Sequence, residues 1–401
     1  MKRWIWFLAV VGMGWGMRPA QAQVVVTKGA GQKTGLDMSA FRASPAPAAA
    51  LFRKTLQDDL VRSGWFSITA AGRGEIVLNG ECEESGGSLN AAVRVLHATT
   101  GQSYLGKKYP ASAGEARRLA HRAADDIIQA VTGWRGMASG RLVLVGNRSR
   151  AKELYLCDAD GANLVQLTQD RSISLAPRWS PDARTIVYTS YLKRFPDVYS
   201  IDVASGSRRI VANFPGLNTG GALSPASREM ALVLSRQGNP EIYVKNMAGG
   251  QLTRLTTSPQ AAEASPCWSP DGNRIVYVSD QPGTPQLYTI SRSGGRPQRL
   301  TSRGLENVAP DWGANGWIAF ASKVGGRYQI CIMNPDTQEI RQLTADGADY
   351  EDPSWAPDGR HIACARTAGY RSAIYLVDTM GDPPLPLLNT SGDWFSPSWA
   401  P

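Results

Sequence analysis

Pro266-Cys267-Trp268-Ser269-Pro270-Asp271-Gly272-Asn273-Arg274-Ile275-Val276-Tyr277-Val278-Ser279 reads as a strand end, a tight turn and a second strand. Proline presets the first central dihedral of such a turn, and Asp and Gly suit the positions that follow. Arg274 to Ser279 is apolar or β-branched and of strand length. The stretch recurs at Pro177-Arg178-Trp179-Ser180-Pro181-Asp182, at Pro353-Ser354-Trp355-Ala356-Pro357-Asp358-Gly359 and, cut short, at Pro397-Ser398-Trp399-Ala400-Pro401. Degenerate copies stand at Ala222-Leu223-Ser224-Pro225 and Pro310-Asp311-Trp312-Gly313. The tryptophan position therefore falls at 179, 223 (Leu here), 268, 312, 355 and 399, in steps of 44, 45, 44, 43 and 44. A period of that length marks a propeller or a repeat array.

The remainder of each unit supplies two more strands. One carries an apolar-Tyr-apolar signature, as in Val198-Tyr199-Ser200-Ile201, Ile242-Tyr243-Val244, Leu287-Tyr288-Thr289-Ile290 and Ile374-Tyr375-Leu376-Val377. The other ends in Leu-Thr, as in Arg254-Leu255-Thr256, Arg299-Leu300-Thr301 and Gln342-Leu343-Thr344. Four strands per unit is what a propeller blade requires. The strand after the turn occurs six times, at Leu142, Ile186, Met230, Ile275, Ile318 and Ile362. The first unit lacks a Trp-Ser-Pro strand of its own, and residues 397–401 are that missing strand. The expected fold is mainly β: a six-bladed β-propeller over 140–401, closed by the strand 397–401, which removes an aggregation-prone open edge.

Before the propeller, Lys2 and Arg3 precede an apolar run from Trp4 to about Met17, and Ala20-Gln21-Ala22 has the small-x-small form of a signal peptidase site. The run is short for a membrane span. Export with cleavage after Ala22 is expected, giving a chain that is peripheral to membranes and not inserted in them. Loss of Lys2, Arg3 and Arg18 lowers the formal charge from +9 to +6. No Lys/Arg run is dense enough for nucleic-acid binding. Five cysteines (82, 157, 267, 331, 364) form no C-x-x-C and imply no disulfide framework, leaving at most one bridge that the sequence does not pair.

Residues 23–136 read as a small α+β domain with a flexible arm over 23–35. The Gly/Ala/Pro-rich stretch from Gly29 to Ala49 gives no firm assignment. Phe52, Leu56 and Leu60 mark one helix face and Leu119, Ala123, Ile127 and Val131 a second, the latter opened by a Ser112-x-x-Glu115 capping box and ended by Gly133. Between them Trp65 to Thr69 reads as a strand, followed by an antiparallel meander over Glu75 to Gly80, Leu89 to His97 and Gln102 to Tyr109.

No constellation for catalysis is legible. There is no G-x-S-x-G, no H-E-x-x-H, no Walker A and no dinucleotide glycine motif, and the histidines 97, 121 and 361 are scattered. No cofactor or metal site is expected. Asp182, Asp271 and Asp358 could suggest a carboxylate ring, but turn aspartates accept backbone hydrogen bonds and need no further role. The tryptophans are read as wedges between blades. The variable residues are those just before each Trp: Ser174 to Ala176, Asn218 to Gly221, Glu263 to Ser265, Glu306 to Ala309, Asp349 to Asp352 and Asp393 to Ser396. Pseudo-symmetry gathers them at one mouth of the central channel, as a binding surface or as a solvated rim.

A leader, a Val-rich arm, a small α+β domain and six W-S-P-D-G blades, together with Asp59-Leu60-Val61-Arg62-Ser63-Gly64-Trp65-Phe66, resemble the TolB family over essentially the whole chain. The resemblance implies a periplasmic, non-enzymatic scaffold of the Tol–Pal envelope system, expected to be a monomer and to act in cell division. The mouth would receive Pal, a peptidoglycan-associated lipoprotein. It would do so through Asn218, Thr219, Gly220, Glu263 and Ala264 most directly, with Glu306, Asn307, Asp349, Tyr350, Glu351 and Trp394 around them. The arm at Gln23, Val24, Val25 and Val26 would add a strand to TolA, the energised inner-membrane partner. Leu217 and Ala264 depart from the family's polar residues, and Ser224-Pro225-Ala226-Ser227 lacks the Asp-Gly of the turn. The alternative is a propeller enzyme, such as a polysaccharide lyase, using the acidic and aromatic rim of Glu306, Asp349, Tyr350, Glu351 and Trp394.

Overall fold

The repeated turn is wired by its own side chains. Ser269 Oγ donates to Asp271 Oδ1 at 2.5 Å and accepts the Arg274 N–H at 2.9 Å, while Asp271 also accepts the Asn273 N–H at 3.0 Å. Ser180, Asp182, Arg184 and Thr185 repeat the pattern. Asp358, fully inside, accepts the backbone N–H groups of Arg360 and His361 and contacts His361 Nδ1 at 2.6 Å. The three aspartates serve their turns, as turn chemistry anticipates. The fourth position of each turn is left-handed. Glycine takes it at Gly272 and Gly359, with φ of 70° and 67°, but Ala183 and Ser227 adopt it at 55° without that freedom.

The computed structural model describes residues 31–302, 304–388 and 390–401. Its propeller consists of six four-stranded antiparallel sheets. The Leu-Thr signature has a structural reason. Thr168, Thr256, Thr301 and Thr344 use Oγ1 to accept the N–H of a residue in the first half or middle of the third strand, at Leu154, Ile242, Leu287 and Ile330 (2.8–2.9 Å), where the outer strand stops pairing. In the closing blade, the strand Trp394–Trp399 pairs with Arg141–Gly146, Trp399 opposite Leu142. It begins three residues before the Pro397 expected from the repeat, because the pairing extends up to the channel mouth.

The core is divided into wedges between consecutive blades. Leu142 and Leu144 pack toward the sixth blade, Val143 and Val145 toward the second. Both faces of such a strand are buried, which is why these runs are continuously apolar rather than alternating. The tryptophans fill the wedges: Trp179 Nε1 donates to Ser398 O and Trp268 Nε1 to Ala222 O of the preceding blade. All five cysteines are free.

The first domain comprises β1 (Thr34–Asp37), β2 (Phe41–Ala43), α1 (Pro47–Arg62), β3 (Phe66–Ile68), β4 (Ile76–Ser85), β5 (Ser88–His97), β6 (Ser103–Ser112) and α2 (Ala116–Thr132). The sheet order is β3-β1-β4-β5-β6, with β2 also beside β4. Its core is formed by Phe52, Leu56 and Leu60 of α1 against Leu119, Ala123, Ile127 and Val131 of α2, all essentially inaccessible. The capping box at Ser112 and Glu115 is present but opens a 3-10 turn, Ala113–Glu115, that leads into α2, and Gly133 ends the helix at φ 75°. The stretch before α1, left unassigned by the sequence, holds two strands parallel to their neighbours. Thr34 and Gly35 belong to β1, which corrects the arm expected over 23–35. Residues 1–30, with the leader, Gln23, Val24, Val25 and Val26, lie outside the described residues.

The domain sits against the turn end of blades 1 and 6. Arg360 Nη2 contacts Gly64 O at 3.3 Å and Asp378 at 2.6 Å, and its guanidinium lies over Trp65. No helix among the described residues is long and apolar enough to cross a membrane.

Candidate binding mouth of the propeller

Every innermost strand breaks at one position. The pairing register slips between 175 and 178, 219 and 222, 264 and 267, 308 and 311, 351 and 354, and 395 and 398. A left-handed residue sits in each break: Ala176, Gly220, Ser265, Ala309, Asp352 and Ser396 at φ of 49°, 68°, 49°, 51°, 51° and 43°. Only one of the six is glycine, so the other five hold backbone strain that the ring must maintain. These bulges line a hollow of about 170 Å³ at the channel mouth. The opposite end is a wider, apolar hollow of about 340 Å³ rimmed by Trp179, Trp268, Trp312, Trp355 and Trp399. Between the two, Arg178 and Asp311 meet.

The bulge also decides which predicted residues face out. Two positions before the left-handed residue stand Ser174, Asn218, Glu263, Asn307, Tyr350 and Trp394, and all six are buried. Asn218, Glu263, Asn307, Tyr350 and Trp394 are therefore corrected from contact residues to residues that hold the mouth in place. Asn218 closes its own loop onto Phe214 and Gly216. Asn307 donates to Gln286, Tyr350 to Asp346, and Trp394 packs edge-on against Tyr155. Thr219, Gly220, Ala264, Glu306, Asp349 and Glu351 remain at least partly accessible.

The acidic members are largely taken up by neighbours. Glu306 pairs with Lys323 at 2.7 Å and accepts the Tyr328 hydroxyl, and these partners hold its carboxyl below the usual range. Asp349 pairs with Arg327 at 2.6 Å and accepts the Tyr328 N–H. For Glu351, burial raises the carboxyl pKa, helped by Asp352 and Asp349. With Tyr350 and Trp394 buried, this rim offers little of the free acid and aromatic surface that a lyase site would use.

Sequence reasoning missed the surface around the mouth. The hairpins joining the second and third strands of each blade lie on this same face, since Ser174 pairs with Ser190 at the hairpin's base. They carry exposed Arg148, Arg150, Lys193, Arg194, Arg236 and Arg371. Leu192 and Phe195 (75 % exposed), Leu305 and the fully exposed Tyr370 add apolar surface. The signal was available at Tyr370, as an aromatic residue at a turn has no strand to pack in.

Comparison with known proteins places this geometry. Residues 128–401 match the family described as the TolB beta propeller domain. A Tol-Pal system protein TolB from Gluconobacter oxydans is 34% identical over 327 residues, 79% of this chain and 72% of that relative. A TolB homolog from Chlorobium chlorochromatii is 35% identical over 198 residues, 49% of this chain. That match, like another to a Chlorobium luteolum homolog, spans less than half of the relative's length, 44% and 45%. The crystal structure of TolB from Acinetobacter baumannii superposes with a TM-score of 0.83 at 26% identity, covering 93% of this chain and 98% of that one.

Proposed function

The chain belongs to the TolB β-propeller family, and from that premise we propose that it is a periplasmic scaffold of a Tol–Pal envelope system. Its channel mouth docks a Pal-like peptidoglycan-associated lipoprotein. Its arm, around Val24 to Val26, offers a strand to a TolA-like inner-membrane protein. The observation that carries the docking proposal is the mouth face itself: exposed Phe195, Leu192 and Tyr370 among basic hairpin tips, around a hollow lined by backbone and small side chains. Apolar and aromatic anchors within a charged rim are the composition of a protein–protein surface, and the basic tips favour a partner with an acidic face.

The test is calorimetric titration of the exported chain with the soluble domain of a Pal-like lipoprotein from the same genome. Ala264→Arg, which places a long charged side chain in the mouth, should weaken binding at least tenfold. Phe195→Ala should cost about 1–2 kcal/mol, as loss of an aromatic anchor does. Wild-type affinity in both variants, or no binding by the parent chain, would end the proposal.

A further inference from the structure

Away from the mouth, where the first domain meets blade 1, an imidazole nitrogen is left without a partner. His121, on α2, is 3 % exposed. Its Nδ1 lies 2.6 Å from Asp59 Oδ2 of α1, also buried. In the neutral ring that contact puts the proton on Nδ1 and leaves the Nε2 lone pair pointing the other way. Nε2 is buried and makes no hydrogen bond among the described residues. It faces blade 1, with Asp160 Oδ2 at 3.8 Å, beyond hydrogen-bond reach. Asp158 stands beside Asp160, and one ligand atom from each of His121, Asp158 and Asp160 lies within 4.8 Å of the others.

We propose that His121 Nε2 and the carboxylates of Asp158 and Asp160 form a divalent transition-metal site, suited to zinc, that pins the first domain to the propeller. One imidazole and two carboxylates fit zinc, with positions left for water. Asp59 is the positioning residue: a carboxylate on the far nitrogen of a metal-binding histidine fixes the tautomer and raises ligand basicity. Zinc bonds of roughly 2 Å require the ligand atoms to close to about 3.5 Å. That contraction falls on Asp158 and Asp160 at their turn, where Asp158 Oδ2 gives up the Asn163 amide at 2.6 Å and Asp160, 7% exposed, keeps the Ala162 N–H on its other oxygen. Arg117, the present partner of Asp160, is 31% exposed and can turn to water. Arg62, 3.4 Å from Asp59, offsets the remaining negative charge.

A proton competes with the metal. Binding therefore releases a proton and tightens as pH rises. The site is independent of the partner proposed above.

The experiment is zinc titration of the untagged exported chain by calorimetry, in two buffers of different ionisation enthalpy, beside thermal melts. Expected is one zinc per chain, proton release on binding and a higher Tm. Cys267→Ser should bind as the parent does, excluding the channel thiol as the ligand. His121→Gln and Asp158→Asn should lose affinity by more than tenfold, and Asp59→Asn by about 10–100-fold. Asp158→Asn, at a partly exposed position, keeps the test open should His121→Gln fail to fold. Unchanged affinity in Asp158→Asn, or no binding to the parent at millimolar zinc, would overturn the assignment.

Discussion

Arg178 of blade 2 reaches Asp311 of blade 5 across the propeller axis, Nη1 to Oδ1 at 2.5 Å, and so closes the channel at its waist. The residues at this level also tie neighbouring blades. Asp311 Oδ2 accepts the Trp355 N–H at 2.8 Å, Ser354 Oγ the Trp399 N–H at 3.0 Å, and Cys267 Sγ the Trp312 N–H at 3.3 Å. One carboxylate thus fastens its neighbour with one oxygen and the opposite blade with the other.

Arg178→Met should leave Asp311 uncompensated. Removing one partner of a fully buried pair costs about 3–5 kcal/mol. These side chains are 27% and 14% exposed, so a loss of about 1–3 kcal/mol is expected. Asp311→Ala should be worse than Asp311→Asn by about 1 kcal/mol, because only the amide can still accept the Trp355 N–H. Urea unfolding of the three variants measures this, and equal midpoints for Asp311→Ala and Asp311→Asn would contradict it.

Glu263 occupies a position filled by the neutral Ser174, Asn218 and Asn307 in other blades. Burial raises its carboxyl pKa, the charges of Glu241 and Asp280 add to this, and the Ser258 and Ser279 hydroxyls oppose it. The folded state then holds its proton to higher pH than the unfolded chain, whose value is about 4.3. Stability is lost as pH rises from there through the folded pKa, and the penalty persists above it. Glu263→Gln should therefore stabilise the protein at neutral pH, by on the order of 1 kcal/mol, while the difference vanishes near pH 4. A destabilised Gln variant at pH 7 would show that the charge is needed.

His121 predicts a pH dependence of the same sign at the domain boundary. With its folded pKa raised, its stabilising contribution is complete below the unfolded value of about 6.5 and is lost as pH rises through the folded one. In EDTA, the parent chain should lose up to about 1.4 kcal/mol per pH unit over that window. His121→Gln should remove that part of the slope. Parallel stability curves for the two proteins between pH 6 and 8.5 would exclude the linkage.

The ring itself was legible because the steps of about 44 residues between tryptophans are set by backbone length, and each Ser-Pro-Asp turn carries its own hydrogen bonds. The mouth was only half legible. Counting back from Trp assumes strand alternation, but the left-handed residues at 176, 220, 265, 309, 352 and 396 interrupt it. Residues such as Tyr350 and Trp394 consequently turn into the sheet. A trace of this was present in the sequence: a column that accepts Ser174 in one blade and Trp394 in another is packed space of varying size. The His121 cluster had no sequence signature, since Asp59, His121 and Asp160 come from two helices and a turn brought together by domain docking.

Closure of the ring gives the last prediction. Trp399 is 4% exposed, fills the wedge between blades 1 and 6 and lies opposite Leu142. Trp399→Ala should cost about 3–5 kcal/mol, as core tryptophan truncations do. The control is Trp134→Ala: Trp134 is 48% exposed and stacks on Trp65 at 6.2 Å, and about 1 kcal/mol is expected there. Removing residues 394–401 goes further. The strand Arg141–Gly146 would lose its partner while keeping an apolar, unpaired edge, and such edges recruit other chains. The shortened protein should lose its cooperative melt and elute as aggregates in size-exclusion chromatography. A monomeric shortened chain with the parent's Tm would mean that five complete blades hold the ring without the strand that closes it.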